Sequence, residues 1–312
     1  MIGPSRRPHI CVCICTFRRP RLLASLLKAL EGQETAGAFD YDIVVVDNDK
    51  DGSARLVVDF AAGRMNRRVR YFIEPEQNIA LARNKALENA RGDFVAFIDD
   101  DELPGRDWLL NMSKALKLFE TAGVLGPVLP RYDVPPPSWV LRGGFFDRPN
   151  YYSGYYLSWW LTRTGNCLLK ASLFKGPEGR FLPEYGSGGE DRDFFKRMIH
   201  RGNVFVWCAE APIMEAVPPD RWNVLTMVRR ALLRGKMTYL ARRSYPSNLI
   251  GSFGAVLAYT VALPLLLIGA PVFGFETFMQ TLIRDCDHLG KVLALIGIDP
   301  VRRRYIVSLA ED

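Results

Sequence analysis

Residues 93–102, DFVAFIDDDE, run a short apolar segment straight into four consecutive acids. An unbroken apolar run of that length, bounded by charge, predicts a strand buried on both faces. Working outward, HICVCICT (9–16), YDIVVVD (41–47) and VRYFIE (69–74) have the same texture. Between them, PRLLASLLKALE (20–31), SARLVVDFAA (53–62) and IALARNKALENA (79–90) place apolar residues at three- and four-residue intervals, as helices do. Strands joined by helices predict an α/β fold with a Rossmann-like, mostly parallel central sheet and helices on both faces. Ligands bind such sheets beyond the carboxyl ends of the strands. The residues to inspect are therefore Thr16, Asp47 to Asp49, Glu74 and Asp99 to Glu102.

The chain has 312 residues, 48% hydrophobic and 24% charged, enough for one large or two medium domains around a real core. Its net charge of +7 favours polyanions: nucleic acid, an anionic membrane face or nucleotide phosphates. Nucleic acid is set aside, because the aromatics are not interleaved with Lys and Arg as in a stacking groove. Cys11, Cys13 and Cys15 fall at alternate positions of the first strand and read as buried thiols of a reducing compartment. His9, His200 and His288 stand far apart and no C-x-x-C occurs, which excludes the usual zinc patterns. The N-terminal MIGPSRRPHICVCICTF reads as a first strand, because its apolar stretch runs into Thr16, Arg18 and Arg19 without a cleavage signal.

Texture divides the chain at about 125 and 225. Residues 126–225 hold a Pro- and aromatic-rich span, then the strand TGNCLLK (164–170), the turn GSGGED (186–191) and a helix from near Asp191. The aromatics serve either as core or as a platform for a sugar ring or lipid. In 226–312, Arg229, Arg230, Arg234, Lys236, Arg242 and Arg243 lead into the uncharged run Leu249–Phe275, long enough to cross a bilayer. Pro264 in its middle is expected to break the helix into arms of about 20 Å, short of the roughly 30 Å hydrocarbon core. Arg284, Lys291 and Arg302 to Arg304 beyond the run put positive charge on both flanks. A re-entrant or interfacial hairpin on the cytoplasmic face is expected over a spanning helix, with a buried core helix as the alternative.

The acids Asp99, Asp100, Asp101 and Glu102 at a strand end repel one another unless a cation neutralises them. Magnesium or manganese, held by one or two carboxylates and completed by phosphates, suits that pattern better than a solvated turn. Thr16 with Arg18 and Arg19, Asp47 with Asn48, and Arg83 with Asn84 fall at the same sheet edge or on the adjacent helix. Carboxylate and amide groups can hold a base and ribose, and arginine forks a diphosphate. After Gly186, Gly188 and Gly189, Glu190 and Asp191 open a helix; either may cap it, or serve as general base, with Asp191 preferred.

Taken in order, CTFRRP (15–20), VVVDND (44–49), QNIALARNKAL (77–87), FIDDDELP (97–104) and GGEDRDFF (188–195) resemble the inverting family 2 glycosyltransferases of the GT-A fold. The resemblance spans residues 9 to about 235 and is strongest to enzymes building bacterial exopolysaccharides on lipid carriers. It implies a nucleotide-sugar half (1–125), an acceptor-binding and catalytic half (126–225) and a membrane-associated helical tail (226–312). It implies that Asp101, with Asp99, meets the metal, that Asp99 or Asp100 meets the ribose, that Thr16, Asp47 and Arg83 hold the nucleotide, and that Asp191 is the base. The implied partners are a UDP- or GDP-sugar, a lipid-linked or saccharide acceptor, and membrane lipid along residues 249–275. The implied location is the cytoplasmic face of the cell membrane.

Two departures qualify the resemblance. Processive relatives carry Q-x-x-R-W, whereas Pro218-Pro219-Asp220-Arg221-Trp222 stands here, so transfer of a single sugar is expected. No histidine lies between His200 and His288 to assist the leaving diphosphate, and Arg221 or the arginines near 229 are candidates for that part. An aspartyl-phosphate phosphatase would need a D-x-D-G-T continuation, and Glu102-Leu103-Pro104 stands there instead. An inactive membrane scaffold has no physical need for both acid sets.

Overall fold

The structure is a computed structural model that describes residues 6–186, 188–241, 247–299 and 301. Ser187 of the GSGGED turn, Arg242, Arg243 and Arg302 to Arg304 lie outside the described residues. The chain runs β1 (His9–Thr16), α1 (Pro20–Glu31), β2 (Asp40–Asp47), α2 (Arg55–Arg64), β3 (Val69–Ile73), α3 (Ile79–Asn89) and β4 (Phe94–Phe97). It continues through β5 (Glu102–Pro104), α4 (Trp108–Phe119), β6 (Gly123–Leu125), β7 (Val128–Arg131) and α5 (Ser138–Arg142). Next come β8 (Cys167–Lys170), α6 (Glu190–His200), β9 (Phe205–Trp207) and β10 (Ile213–Ala216). The tail is helical: α7 (Val224–Ala241), α8 (Ser247–Ile268), α9 (Ala270–Phe273) and α10 (Phe275–Leu295). Two compact units form, Met1–Pro130 with Arg148–Ala216, and Arg131–Asp147 with Val217–Asp312.

In the first unit a seven-stranded sheet has the order β3-β2-β1-β4-β8-β6-β9. Neighbours from β3 to β4 are parallel, while β8 runs antiparallel between β4 and β6. Alternation along β1 decides its two faces. Ile10, Val12 and Ile14 join Leu23, Leu26, Leu27 and Leu30 of α1 in one core, and Cys11 and Cys13 join α3 and α6 in the other. Complete burial of the four α1 leucines stabilises the unit by about 1.5–3 kcal/mol each. All six cysteines are free, and burial pushes the Cys15 thiol up to about 12, in keeping with inert core thiols. A smaller sheet, β5-β10-β7, sits beside the first.

The second unit has its own core of Val140, Val217, Trp222, Met227 and Met279. Glycines let α7 and α10 approach closely: a Cβ on Gly235 would come within 2.1 Å of the Asp287 carbonyl oxygen, and one on Gly290 within 2.2 Å of that of Leu232. The aromatic span divides between both expected uses, because Trp139, Phe145 and Phe146 pack in this core while Tyr152, Tyr156 and Trp160 of the first unit are exposed.

Pro264 does not break its helix. It lies inside α8, which runs unbroken to Ile268 and stops at Gly269. A proline removes one amide donor and strains one turn, at roughly 3 kcal/mol, and the helix continues past it. The apolar run up to Ile268 is therefore one helix and not two short arms meeting at Pro264. α8 is long and apolar enough to cross a membrane by length and composition, and only 6% of its window Gly251–Ile268 is buried.

Candidate active site

Both neighbours of β1 are parallel to it, and β2 and β4 lie on opposite sides, so the winding direction reverses there. A crevice opens beyond the carboxyl ends of β1 and β4 at such a reversal. Thr16 ends β1, and its Oγ1 donates to Asp100 Oδ2 at 2.8 Å. Arg19 stands at the N-cap of α1, ahead of Pro20, which needs no amide partner at the first helical position. Its Nη1 donates to Asp100 Oδ1 at 3.0 Å and to Asp101 Oδ2 at 3.3 Å. Burial disfavours the Arg19 charge, but Asp100 and Asp101 outweigh that and raise its pKa overall.

The acids are crowded. The side chains of Asp100 and Asp101 are 6% and 7% exposed, against 48% for Asp99. Burial pushes the Asp100 carboxyl up to about 6, with Arg19 opposing and Asp101 reinforcing the shift. Burial likewise raises Asp99, against the pull of Arg83. Glu102 rises furthest in kind: burial, then the charges of Asp99 and Glu215, hold it well above the usual carboxylate range. The β5–β10 register sets Glu102 directly opposite Glu215, an unfavourable like-charge pair on one face. Arg148 forms an ion pair with Glu215.

These groups fit a divalent cation of a particular kind. Among the described residues no three Asp, Glu, His or Cys side chains converge into a cage. A hard cation there would take one or two carboxylates and complete its shell with phosphate oxygens, as magnesium does. Asp99 and Asp101 would be its ligands, and Gly165 keeps room beside the cluster: a Cβ there would approach Glu102 Oε1 to 2.7 Å and Asp99 Oδ2 to 3.1 Å.

Arg83 joins this end of the sheet to α6. Its guanidinium is buried, bonded to Glu190, and 3.6 Å from Asp99 Oδ1. Glu190 is thereby engaged, with Oε2 buried and unpartnered. Asp191 is half-buried, and its Oδ1 accepts from the Arg192 amide at 2.7 Å. The glycine turn is tied to α3: Asn78 caps α3 through Ala80 and Leu81 and donates to the Pro183 carbonyl, while the Ile79 amide bonds Gly186. A Cβ on Gly186 would sit 1.9 Å from Asn78 Oδ1, so the close approach requires glycine. Asn84 exchanges two hydrogen bonds with the Phe181 backbone, which fixes the same segment.

The residues at the end of β2 are arranged otherwise. Asp47 is 0% exposed and accepts from the Ala54 amide at 2.7 Å, the Tyr71 hydroxyl at 2.9 Å and the Asp49 amide at 3.0 Å. Asn48 donates to the carbonyls of Glu74 and Glu76 and accepts from the Asn78 amide. Both side chains are thus engaged in loop bonds. Arg18, at φ +54°, pairs with Asp49 at 3.0 Å on this side. Arg221 is buried in the second unit, in the turn Pro219–Trp222.

Arg163, Arg148, Glu215 and Gly165 were not singled out from the sequence. Their place depends on β8 lying antiparallel beside β4, with Cys167 opposite Phe97, which delivers the turn before β8 to the acid cluster. No spacing signals that direction.

Comparisons with known proteins bear on this site. Residues 11–175 match the family model described as Glycosyl transferase family 2. The chain is 34% identical to "Succinoglycan biosynthesis protein ExoM" of Rhizobium meliloti (strain 1021) over 238 residues, 75% of each protein. It is 30% identical over 97 residues, 30% of each, to the "GalNAc(5)-diNAcBac-PP-undecaprenol beta-1,3-glucosyltransferase" of Campylobacter jejuni. Among solved structures, S. aureus TarS 1-349 in complex with UDP-GlcNAc superposes with a TM-score of 0.54 at 13% identity, covering 94% of this chain and 93% of that one. GalNAc-T7 with UDP, GalNAc and Mn2+ gives 0.52 at 13% identity, over 72% and 47%. At such identities the structural likeness is one of fold.

Proposed function

The chain belongs to glycosyl transferase family 2 and is a glycosyltransferase of the GT-A fold, and on that premise we propose that it moves one hexose from a UDP- or GDP-sugar to an acceptor hydroxyl with inversion. The observation that carries the reading is the acid cluster at the β1/β4 crevice, where burial raises Asp100 and Glu102, with Arg83 close to Asp99 and bonded to Glu190, the neighbour of Asp191. Donor residues come from 1–125 and acceptor residues from 126–225. Thr16, Arg19, Asp100 and Arg83 line the nucleotide side, and Asp47 and Asn48 shape its wall.

Asp191 takes the proton of the acceptor hydroxyl as that oxygen bonds the anomeric carbon and the bond from the anomeric carbon to the diphosphate oxygen breaks. One displacement inverts the centre. Glu190, engaged by Arg83, is not the base, and Arg83 holds the α6 N-terminus toward the crevice. Arg19 and Arg83 supply fixed positive charge near the leaving diphosphate. Mg2+ or Mn2+, held by Asp101 and Asp99, supplies further charge neutralisation when bound.

The likeness to a succinoglycan biosynthesis protein supports exopolysaccharide assembly, with a polyprenyl-linked saccharide as acceptor. α8 supports work at a membrane. Its exposed face carries Phe253, Leu257, Val261, Leu265 and Ile268, while Thr260 and Ser252 hydrogen-bond Asp285 and His288 of α10. α10 also carries Arg284, Asp287 and Lys291, and drawing it through hydrocarbon beside α8 would be costly. α8 therefore lies along the cytoplasmic interface. Leu257→Glu with Leu265→Glu should move the enzyme from the membrane pellet to the supernatant, and retention in the pellet would refute this placement. The function itself is tested by screening nucleotide sugars for metal-dependent hydrolysis, and for transfer to membrane extract. Turnover of none of them would refute it.

A further inference from the structure

Glu190 opens α6 beside Asp191, yet its side chain is only 4% exposed and is turned onto Arg83 of α3. The Arg83 guanidinium, 8% exposed, stands between two carboxylates: Nη1 donates to Glu190 Oε1, and Nη2 comes to 3.6 Å from Asp99 Oδ1. The Phe181 ring lies against it at 5.8 Å. The backbones that carry the pair are tied together. Asn84 exchanges two hydrogen bonds with Phe181, and the Ile79 amide donates to the Gly186 carbonyl at 3.1 Å, so α3 is fastened to the segment that leads into α6. The guanidinium can therefore lean toward one carboxylate or the other, but its two neighbours stay where they are. Glu190 Oε2 is buried without a hydrogen-bond partner. A buried carboxylate with one oxygen unpartnered costs stability, so packing alone does not account for an acid at this position.

We infer that Glu190 is a positioning residue: its carboxylate holds Arg83 back from Asp99, and so keeps Asp99 available to the divalent cation. Attraction between charges is stronger where water is excluded. Glu190 is buried and Asp99 is half-exposed, so the guanidinium stays on the Glu190 side. A glutamine at 190 could still accept one hydrogen bond from Arg83, but a charge-assisted bond is roughly twice as strong as a neutral one. Without the Glu190 charge, Arg83 swings to Asp99 and covers an oxygen that the cation needs. The part given to Glu190 is thus distinct from that of Asp191, although the two are adjacent in sequence.

The inference rests on the metal reading of the proposed function, and the wild type checks that reading by itself. Full-length enzyme saturated with UDP is titrated with Mn2+, and the loss of the free-ion EPR signal reports binding. Glu190→Gln should weaken Mn2+ binding about tenfold or more, and should raise by a like factor the Mn2+ concentration that gives half-maximal donor hydrolysis. Glu190→Asp, which keeps the charge, should lose less. Adding Arg83→Gln to Glu190→Gln should restore Mn2+ affinity, because the competitor for Asp99 is gone. That double variant also removes the buried pair whole, which a fold tolerates better than one buried charge left alone. If Glu190→Gln does not fold, the double variant decides: Mn2+ affinity at or above that of the wild type supports the assignment, and a lower affinity overturns it. A purely structural Glu190 would lower Tm without moving Mn2+ affinity, and a general base would lose turnover at every Mn2+ concentration. No Mn2+ binding by the wild type would overturn the metal reading and this inference together. With wild-type binding present, unchanged affinity in Glu190→Gln, or a loss that Arg83→Gln does not restore, would overturn this inference alone.

Discussion

Two strands of one sheet end in acid clusters, Asp47-Asn48-Asp49 after β2 and Asp99 to Glu102 after β4, and the structure treats them in opposite ways. At β2, backbone amides and the Tyr71 hydroxyl converge on Asp47, so its charge is spread over hydrogen bonds made within the fold. At β4, Asp100 has Thr16 and half of a shared arginine, and Glu102 faces another glutamate. The first cluster is held by donors from within its own loop and the neighbouring strand. The second gathers carboxyl groups that burial and one another's charge raise, an arrangement a bound cation would relieve. An acidic strand end is therefore diagnostic only once its surroundings are known.

Breaking the β4 cluster should have the largest effect. Asp101→Asn should abolish metal-dependent donor turnover with the Tm preserved; undiminished turnover would erase the contrast between the two ends. Next, Asp191→Asn should slow transfer by about 100-fold or more with UDP affinity little changed, the low end for loss of a general base. An inactive Glu190→Gln beside an active Asp191→Asn would move the base to the engaged carboxylate. Gly165→Ala, which pushes a methyl toward Glu102 and Asp99, should cost on the order of tenfold to 100-fold in turnover through misplacement, with a small stability change. Wild-type rates in that variant would show that the cluster tolerates displacement. Asp47→Asn should affect turnover least. Its amide would face donors with donors, lowering unfolding free energy by about 2 kcal/mol in a urea titration while UDP affinity holds. Loss of UDP affinity at unchanged stability would show that the Asp47 carboxylate itself contacts the nucleotide.

Much of this contrast was out of reach of the sequence for an identifiable reason. VVVDND and FIDDDE look alike as text, and both were expected to touch the nucleotide. What separates them is the Ala54 amide, seven residues beyond Asp47, and Tyr71, brought in by β2–β3 pairing. The place of Gly165 beside Glu102 and Asp99 depends on β8 entering the sheet antiparallel, a direction its four residues do not encode. At α8 the break expected at Pro264 does not occur, and the helix continues through the apolar run around it.

The amino-acid sequence by itself determined the alternating strands and helices up to α4, the buried faces of β1, the acid cluster after β4, the glycine turn before α6 and the apolar tail helix. These follow from periodicity, turn chemistry and composition, which act between neighbours along the chain. Only the tertiary structure decided which donors reach Asp47 and Asp100, that Arg83 engages Glu190, and that the turn before β8 meets Glu102 and Asp99. Charge state and hydrogen-bond satisfaction depend on groups far apart in sequence, and packing alone sets the distances between them.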